Sequence, residues 1–246
     1  MAPSAMNSIE SRSQTDKKLL VLDVEGTVFK TKVRLQDTSL DSTIWQGIAP
    51  ALGPDAIEAE IATHRRWEQG YYSSYLEWMT ETIEIHKSFG LKEPLFRELI
   101  DNAEYNAGVA QTLAALDRET YEPVLVSGGF RELAKRAQVD LGIRHAFAAC
   151  EYFFGDQDTI VGHNLLPCDF EGKTDFIELM LREYQLPRDA WVFVGDGRND
   201  VPIAQHAPLS VAYGAHPDLQ RVSTYSIEHF DKLLEILSHH LAAIPT

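Results

Sequence analysis

Lys18-Leu19-Leu20-Val21-Leu22-Asp23-Val24-Glu25-Gly26-Thr27 is a short apolar run that stops at a carboxylate. Apolar residues in sequence, without alternation, are the mark of a parallel strand buried on both faces, and Asp23 then stands where such a strand's C-terminal end meets solvent. Similar runs recur at Glu122 to Ser127, Ala146 to Cys150, Trp191 to Asp196 and Leu209 to Tyr213. Between them lie helical periods: Phe130, Leu133, Ala134 and Ala137, then Phe176, Ile177, Met180 and Leu181, and last Phe230, Leu233, Leu234 and Leu237. Strand and helix in alternation predict an α/β fold, an open parallel sheet covered on both faces.

One interval breaks that rhythm. From about Arg34 to Val109 only helical periods occur, such as Leu76, Met79 and Ile83 or Leu95, Phe96 and Leu99, with helix starts at Pro54-Asp55 and Pro94. The expectation is a core of residues 18–33 and 110–246 carrying an all-helical insert over 34–109. Leaving from the C-terminal edge of the sheet, where open α/β sheets bind ligands, the insert is placed to act as a lid. A small β excursion is expected between Glu151 and Leu166, from the alternation around Phe153-Phe154-Gly155 and Ile160-Val161-Gly162.

Composition narrows the function. The 246 residues are 44% apolar, enough for one substantial core with a smaller inserted domain, and 37 acidic against 22 basic residues leave a net charge near −15. That charge repels nucleic-acid backbones and anionic lipid, so neither nucleic acid nor membrane is expected as a partner. No apolar run reaches the roughly 20 residues of a membrane span and no signal peptide is recognisable, so a cytoplasmic location is the default expectation. Residues 1–17 (MAPSAMNSIESRSQTDK) read as a disordered leader, and Cys150 and Cys168 as packing residues without redox or zinc spacing.

Four pieces carry chemistry: Asp23-Val24-Glu25-Gly26-Thr27, Ser127-Gly128-Gly129-Phe130, Gly172-Lys173-Thr174 and Gly195-Asp196-Gly197-Arg198-Asn199-Asp200. Each lies at a strand end or a helix start, so their carboxylates, a hydroxyl and one cation can converge on one mouth of the sheet. Phosphoryl transfer needs that set. Attack by a carboxylate on a charged phosphoryl group requires a divalent cation, and Asp23 and Asp196 offer the hard oxygens Mg²⁺ prefers. Lys173, the Ser127 hydroxyl and backbone N–H groups around Gly128 would hold the remaining phosphate oxygens. Glu25 can protonate the leaving alcohol and afterwards activate water.

Together the four pieces resemble the four motifs of the haloacid dehalogenase superfamily, in its phosphoserine-phosphatase-like branch. Val126-Ser127-Gly128-Gly129-Phe130 and Val194-Gly195-Asp196-Gly197-Arg198-Asn199-Asp200 are the most telling, with Leu141-Gly142-Ile143 and Gly172-Lys173 in the expected order between them. The resemblance implies a Rossmann-like core with an inserted helical cap, Mg²⁺, and a covalent phosphoaspartate at Asp23. It also implies metal ligation by Asp23, the backbone carbonyl of Glu25 and Asp196, with Asp200 in or just behind the ligand set and Asn199 beside the phosphate.

Two departures bear on activity and substrate. Where the branch has aspartate this chain has Glu25, an acid one methylene longer; the same pattern in a relative resembling a homoserine phosphotransferase keeps transfer to an alcohol open beside hydrolysis. Nine residues after the nucleophile stands Lys32 instead of the glutamate that binds phosphoserine's amine, and Tyr75 to His86 contains no arginine for its carboxylate. Arg65 and Arg66, earlier on a helix, are read as surface. Among the aromatics Trp45, Trp67, Tyr71, Tyr72, Tyr75 and Trp78, one or two are expected to face the site, with Tyr71, Tyr72 and Lys32 as candidate specificity residues. No histidine receives a role. The expected function is Mg²⁺-dependent hydrolysis of a small phosphorylated metabolite, with phosphotransfer and a non-catalytic phosphate-binding role as the alternatives.

Overall fold

Burial of both faces of the first apolar run organises everything after it. The structure, a computed structural model, describes residues 17–35, 38–40 and 42–242. The leader expected over residues 1–17 lies outside them except for Lys17, whose ammonium pairs with the Glu122 carboxylate at 3.2 Å.

Strand β1 (Lys18–Leu22) is followed by a two-stranded ribbon, β2 (Val33–Leu35) and β3 (Thr38–Leu40), and then by five helices: α1 (Ile44–Leu52), α2 (Pro54–Glu68), α3 (Tyr75–Ser88), α4 (Glu93–Asp101) and α5 (Val109–Ala115). The chain continues through β4 (Tyr121–Phe130), α6 (Arg131–Leu141), β5 (His145–Phe154), β6 (Ile160–Leu165), α7 (Gly172–Glu183), β7 (Trp191–Gly195), α8 (Val201–His206), β8 (Leu209–Tyr213), α9 (Pro217–Val222), β9 (Tyr225–Ile227) and α10 (Lys232–Ala242). One seven-stranded sheet results, ordered β6-β5-β4-β1-β7-β8-β9. All its pairings are parallel except β5 with β6, which is the expected β excursion joined to the sheet as an antiparallel edge.

Side chains of β1 divide by parity, as pleating requires. Leu20 and Leu22 enter one core layer with Leu125, Val192 and Val194, while Leu19 and Val21 enter the other with Val124, Val126 and Phe193. Both layers are helix-covered, which is why β1 reads as a continuous apolar run. The chain moves outward from β1 through β4 and β5, then returns to its other side through β7 and β8. That reversal opens a crevice at the C-terminal end of β1, the usual ligand position in such sheets.

In the interval expected to be all helical, the ribbon is a correction. Val33 pairs with Leu40 and Leu35 with Thr38 in antiparallel register. Strands of three residues joined by two are too short to show a period, so a search for helical repeats passes over them. The helices there begin with the chemistry their sequence provides: the Thr43 hydroxyl accepts from the Gln46 N–H ahead of α1, Ser74 does the same from Glu77 N–H ahead of α3, and Pro54 opens α2. Where the insert leaves and re-enters the core, the rings of Phe29 and Tyr105 stack 4.3 Å apart.

Candidate active site

Adjacent strands bring their ends together at the crevice. Asp23 follows β1, its backbone N–H donating to the Val194 carbonyl of β7 at 2.9 Å, and the residue is 5% exposed. Lys173, second residue of α7, is fully buried, and its Nζ lies 2.6 Å from Asp23 Oδ1 and 2.6 Å from Asp200 Oδ1. The other Asp200 oxygen accepts from the N–H groups of Asp196 and Gly197 at 3.2 and 3.1 Å, so one carboxylate grips both the lysine and the turn after β7. The Thr27 hydroxyl donates to Asp196 Oδ1 at 3.0 Å and aims that carboxylate back toward β1.

Small residues are needed where these groups crowd. Gly26 has φ +91°, and a Cβ there would sit 1.9 Å from Asp196 Oδ2, so backbone conformation and space both demand glycine. A Cβ on Gly129 would fall 2.2 Å from Glu25 Oε1. Ser127 Oγ accepts from the Gly129 N–H at 3.0 Å within the bulged end of β4 that leads to α6.

Electrostatically the site holds more negative charge than one lysine balances. Burial works against the Lys173 ammonium, yet Asp200, Asp23 and Asp169 around it hold it well above the ordinary lysine value. Asp23 is pushed well above the carboxylate range by burial, against the pull of Lys173 and with Asp200 and Asp196 adding to it. Burial raises Asp196 to about 7, Asp200 reinforcing this and Thr27 and Lys173 opposing it. Glu25 is likewise raised to about 7 by burial, with the Ile44 N–H at 2.5 Å opposing and the charge of Asp169 adding. Oxygens of Asp23, Asp196 and Asp200 come within 4.8 Å of one another. An all-carboxylate cluster short of positive charge fits a hard divalent cation.

Asp23, Glu25, Ser127, Gly128, Asp196 and Asn199 line one cavity of about 1220 Å³, with Lys173 and Asp200 buried behind them. Asp169 joins them without having been singled out in the sequence. It accepts from Asn199 Nδ2 at 2.8 Å, lies 3.9 Å from Lys173 Nζ, and occupies the space a Cβ on Gly128 would need. Its signal was slight: an aspartate four residues before Lys173, outside any strand run.

The structure does not bring Lys32, Tyr71 and Tyr72 to this cavity. Tyr71 is 70% exposed, whereas Tyr72 is buried with its hydroxyl donating to Glu81 at 2.7 Å, and the Arg66 guanidinium lies 5.7 Å from both rings. The aromatics that line it are Trp45, Trp67, Tyr75, Trp78 and Phe170. Cys150 and Cys168 are buried, and burial pushes the Cys168 thiol to about 12.

A family model of haloacid dehalogenase-like hydrolases matches residues 17–208. The chain belongs to that family. Relatives within it are phosphoserine phosphatases: that of Lactococcus lactis subsp. lactis is 28% identical over 223 residues, 90% of this chain and 94% of its own length. That of Idiomarina loihiensis is 30% identical over 151 residues, 60% of this chain and 66% of its own. Relatives from Mycobacterium tuberculosis and Saccharomyces cerevisiae are matched over 49% and 65% of their length, so the chain spans less than two thirds of several of them. A solved structure, the phospho-aspartyl intermediate analogue of phosphoserine phosphatase, superposes with a TM-score of 0.68 at 22% identity, over 91% of this chain and 98% of that one. At that identity the likeness establishes the shared fold. Among the described residues no helix is long and apolar enough to cross a membrane.

Proposed function

We propose that this protein is a Mg²⁺-dependent phosphatase of small phosphomonoesters that works through an aspartyl-phosphate at Asp23. The observation that carries the proposal is the buried Lys173 ammonium held between Asp23 and Asp200 at 2.6 Å each, beside Asp196 and the Ser127 end of β4. Asp23, Asp196 and Asp200 would hold the cation, which when bound supplies the positive charge that lets a carboxylate approach a phosphoryl group.

In the first step an Asp23 oxygen bonds to phosphorus while the bond from phosphorus to the ester oxygen breaks. Glu25 in its protonated form delivers a proton to that departing oxygen. In the second step the Glu25 carboxylate takes a proton from water as the water oxygen attacks phosphorus, releasing inorganic phosphate and the Asp23 carboxylate. Glu25, poised at about 7, has both forms available near neutral pH, which suits a group that first gives and then takes a proton. Lys173, the Ser127 hydroxyl and N–H groups near Gly128 neutralise and orient the phosphoryl oxygens, and Asn199, steered by Asp169, borders the same space.

The test compares phosphate release by wild type and Asp23→Asn with Mg²⁺ and with chelator. Release should need both the metal and Asp23, the substitution lowering kcat by roughly 10³-fold or more. Asp23→Asn turning over at wild-type rate would end the proposal. Phosphate appearing on an added alcohol, and not in solution, would redirect it to phosphotransfer.

A further inference from the structure

The cavity extends well beyond what a phosphoryl group needs. At about 1220 Å³ it exceeds the roughly 300–1,000 Å³ of ordinary small-molecule sites, and helices α1, α2 and α3 of the insert wall one part of it. Two observations describe that part. It is walled by indoles: Trp67 and Trp78 stack 4.9 Å apart with their planes 10° from parallel, and Trp45 stacks on Phe130 at 4.7 Å. Its carboxylates are Glu60 and Glu68, with His64 Nδ1 3.8 Å from Glu68, and neither lysine nor arginine is among the described residues the insert contributes. The two arginines that reach the cavity, Arg198 and Arg221, come from the core side, and Asp218 pairs with both.

Glu60 is the fixed member. Its side chain is 17% exposed, and its Oε1 lies 3.1 Å from Nε2 of His86, a fully buried ring whose Nδ1 lies 2.6 Å from the Tyr152 hydroxyl of β5. That chain of contacts ties α2 through α3 to the sheet and sets a carboxylate into an aromatic chamber. A carboxylate-bearing substrate lying against the insert meets the like charge of Glu60 and Glu68, while the two arginines stand on the core side with Asp218 between them. Rings and carboxylates together favour flat or ring-shaped groups that donate hydrogen bonds or carry positive charge.

We infer that the chamber selects phosphate esters whose alcohol part is ring-sized, free of carboxylate and rich in hydrogen-bond donors, an aminated or hydroxylated ring rather than an amino-acid backbone, with Glu60 receiving those donors. The inference rests on the phosphatase reading.

The experiment measures kcat/KM with Mg²⁺ for glucosamine 6-phosphate, glucose 6-phosphate, phosphoserine and p-nitrophenyl phosphate, in wild type and in Glu60→Gln, which keeps the side chain's shape and its contact with His86. Both sugar phosphates should exceed phosphoserine by about 10-fold or more, and the order of the two sugars shows whether amine or hydroxyl is the preferred donor. Glu60→Gln should lower the ratio of the preferred sugar phosphate to p-nitrophenyl phosphate by about 10-fold, mainly through KM. Phosphoserine ranking first, or a ratio untouched by Glu60→Gln, overturns the inference while leaving a phosphatase. Absence of metal-dependent release from all four substrates overturns the phosphatase reading and this inference with it.

Discussion

Lys173, itself closed to solvent, is the cation that Asp23, Asp200 and Asp169 share, and a carboxylate left without it at so buried a position is costly. Replacing it with methionine keeps the bulk and removes the charge. Lys173→Met should destabilise the metal-free protein by about 3–5 kcal/mol, read by urea unfolding in chelator, with part of the loss regained when Mg²⁺ is added. An unchanged unfolding midpoint would mean that the carboxylates are protonated at no cost and that the lysine is not what stabilises them. The carboxylates and the lysine were legible in the sequence, because strand ends and a helix start are where such groups converge. Asp169 was not. It sits in an irregular stretch before α7, and only the folded turn carries it to Asn199 and Lys173.

The loop after β1 carries Glu25, Gly26 and Thr27, and it is held by a residue from far along the chain. Asn106, just ahead of α5, donates through Nδ2 toward the carbonyls of Gly26, Thr27 and Phe29 at 2.8, 3.0 and 3.1 Å. Asn106→Leu removes the amide donor from the Gly26 and Thr27 carbonyls, while that of Phe29 still accepts from the Gly26 N–H at 2.7 Å; the change should cost about 1–3 kcal/mol and lower kcat more than it raises KM, since Glu25 and Thr27 ride on that loop. Thermal melting and steady-state kinetics on the same preparation check both; loss of stability with kcat intact would make the contact purely structural. Helical spacing explains the chamber's walls. Glu60, Thr63, His64 and Trp67 on α2, and Tyr75, Trp78, Met79 and Thr82 on α3, fall at i, i+3, i+4 and i+7 and all line the cavity. The stripes are periodic in sequence, but a period does not say which stripe faces the site. Tyr71 and Tyr72 lie between the two helices, off both stripes; the fold leaves Tyr71 exposed and buries Tyr72 against Glu81, away from the cavity.

For the molecule as a whole, the clustered carboxyls couple stability to pH and to metal. Glu25 and Asp196 hold their protons up to about 7 in the folded chain, against ordinary values of 4.5 and 3.8. Between those limits the folded state binds more protons than the unfolded one, so this contribution to stability is full at low pH and is lost as pH rises through about 7. A net charge near −15 acts in the same direction through self-repulsion. In chelator, Tm should fall by roughly 3 to 6 °C between about pH 5.5 and about pH 8, and Mg²⁺ should restore most of it at the higher pH. A Tm that climbs toward pH 8 without metal would contradict the charge balance described for the site.

Sequence alone determined the α/β class, the strands that carry the site and the residues at their ends, because a doubly covered strand must be apolar throughout and a carboxylate at its end stands out against it. It also determined that helices interrupt the sheet after β1. Tertiary structure decided what those helices enclose. The approach of Asp169 and Asn106, and the choice of Glu60 with the indoles over Lys32, Tyr71 and Tyr72 as cavity lining, depend on contacts between segments distant in the chain. Local pattern records which faces are apolar; it holds no term for which face meets which, and that is set only when the insert packs over the crevice.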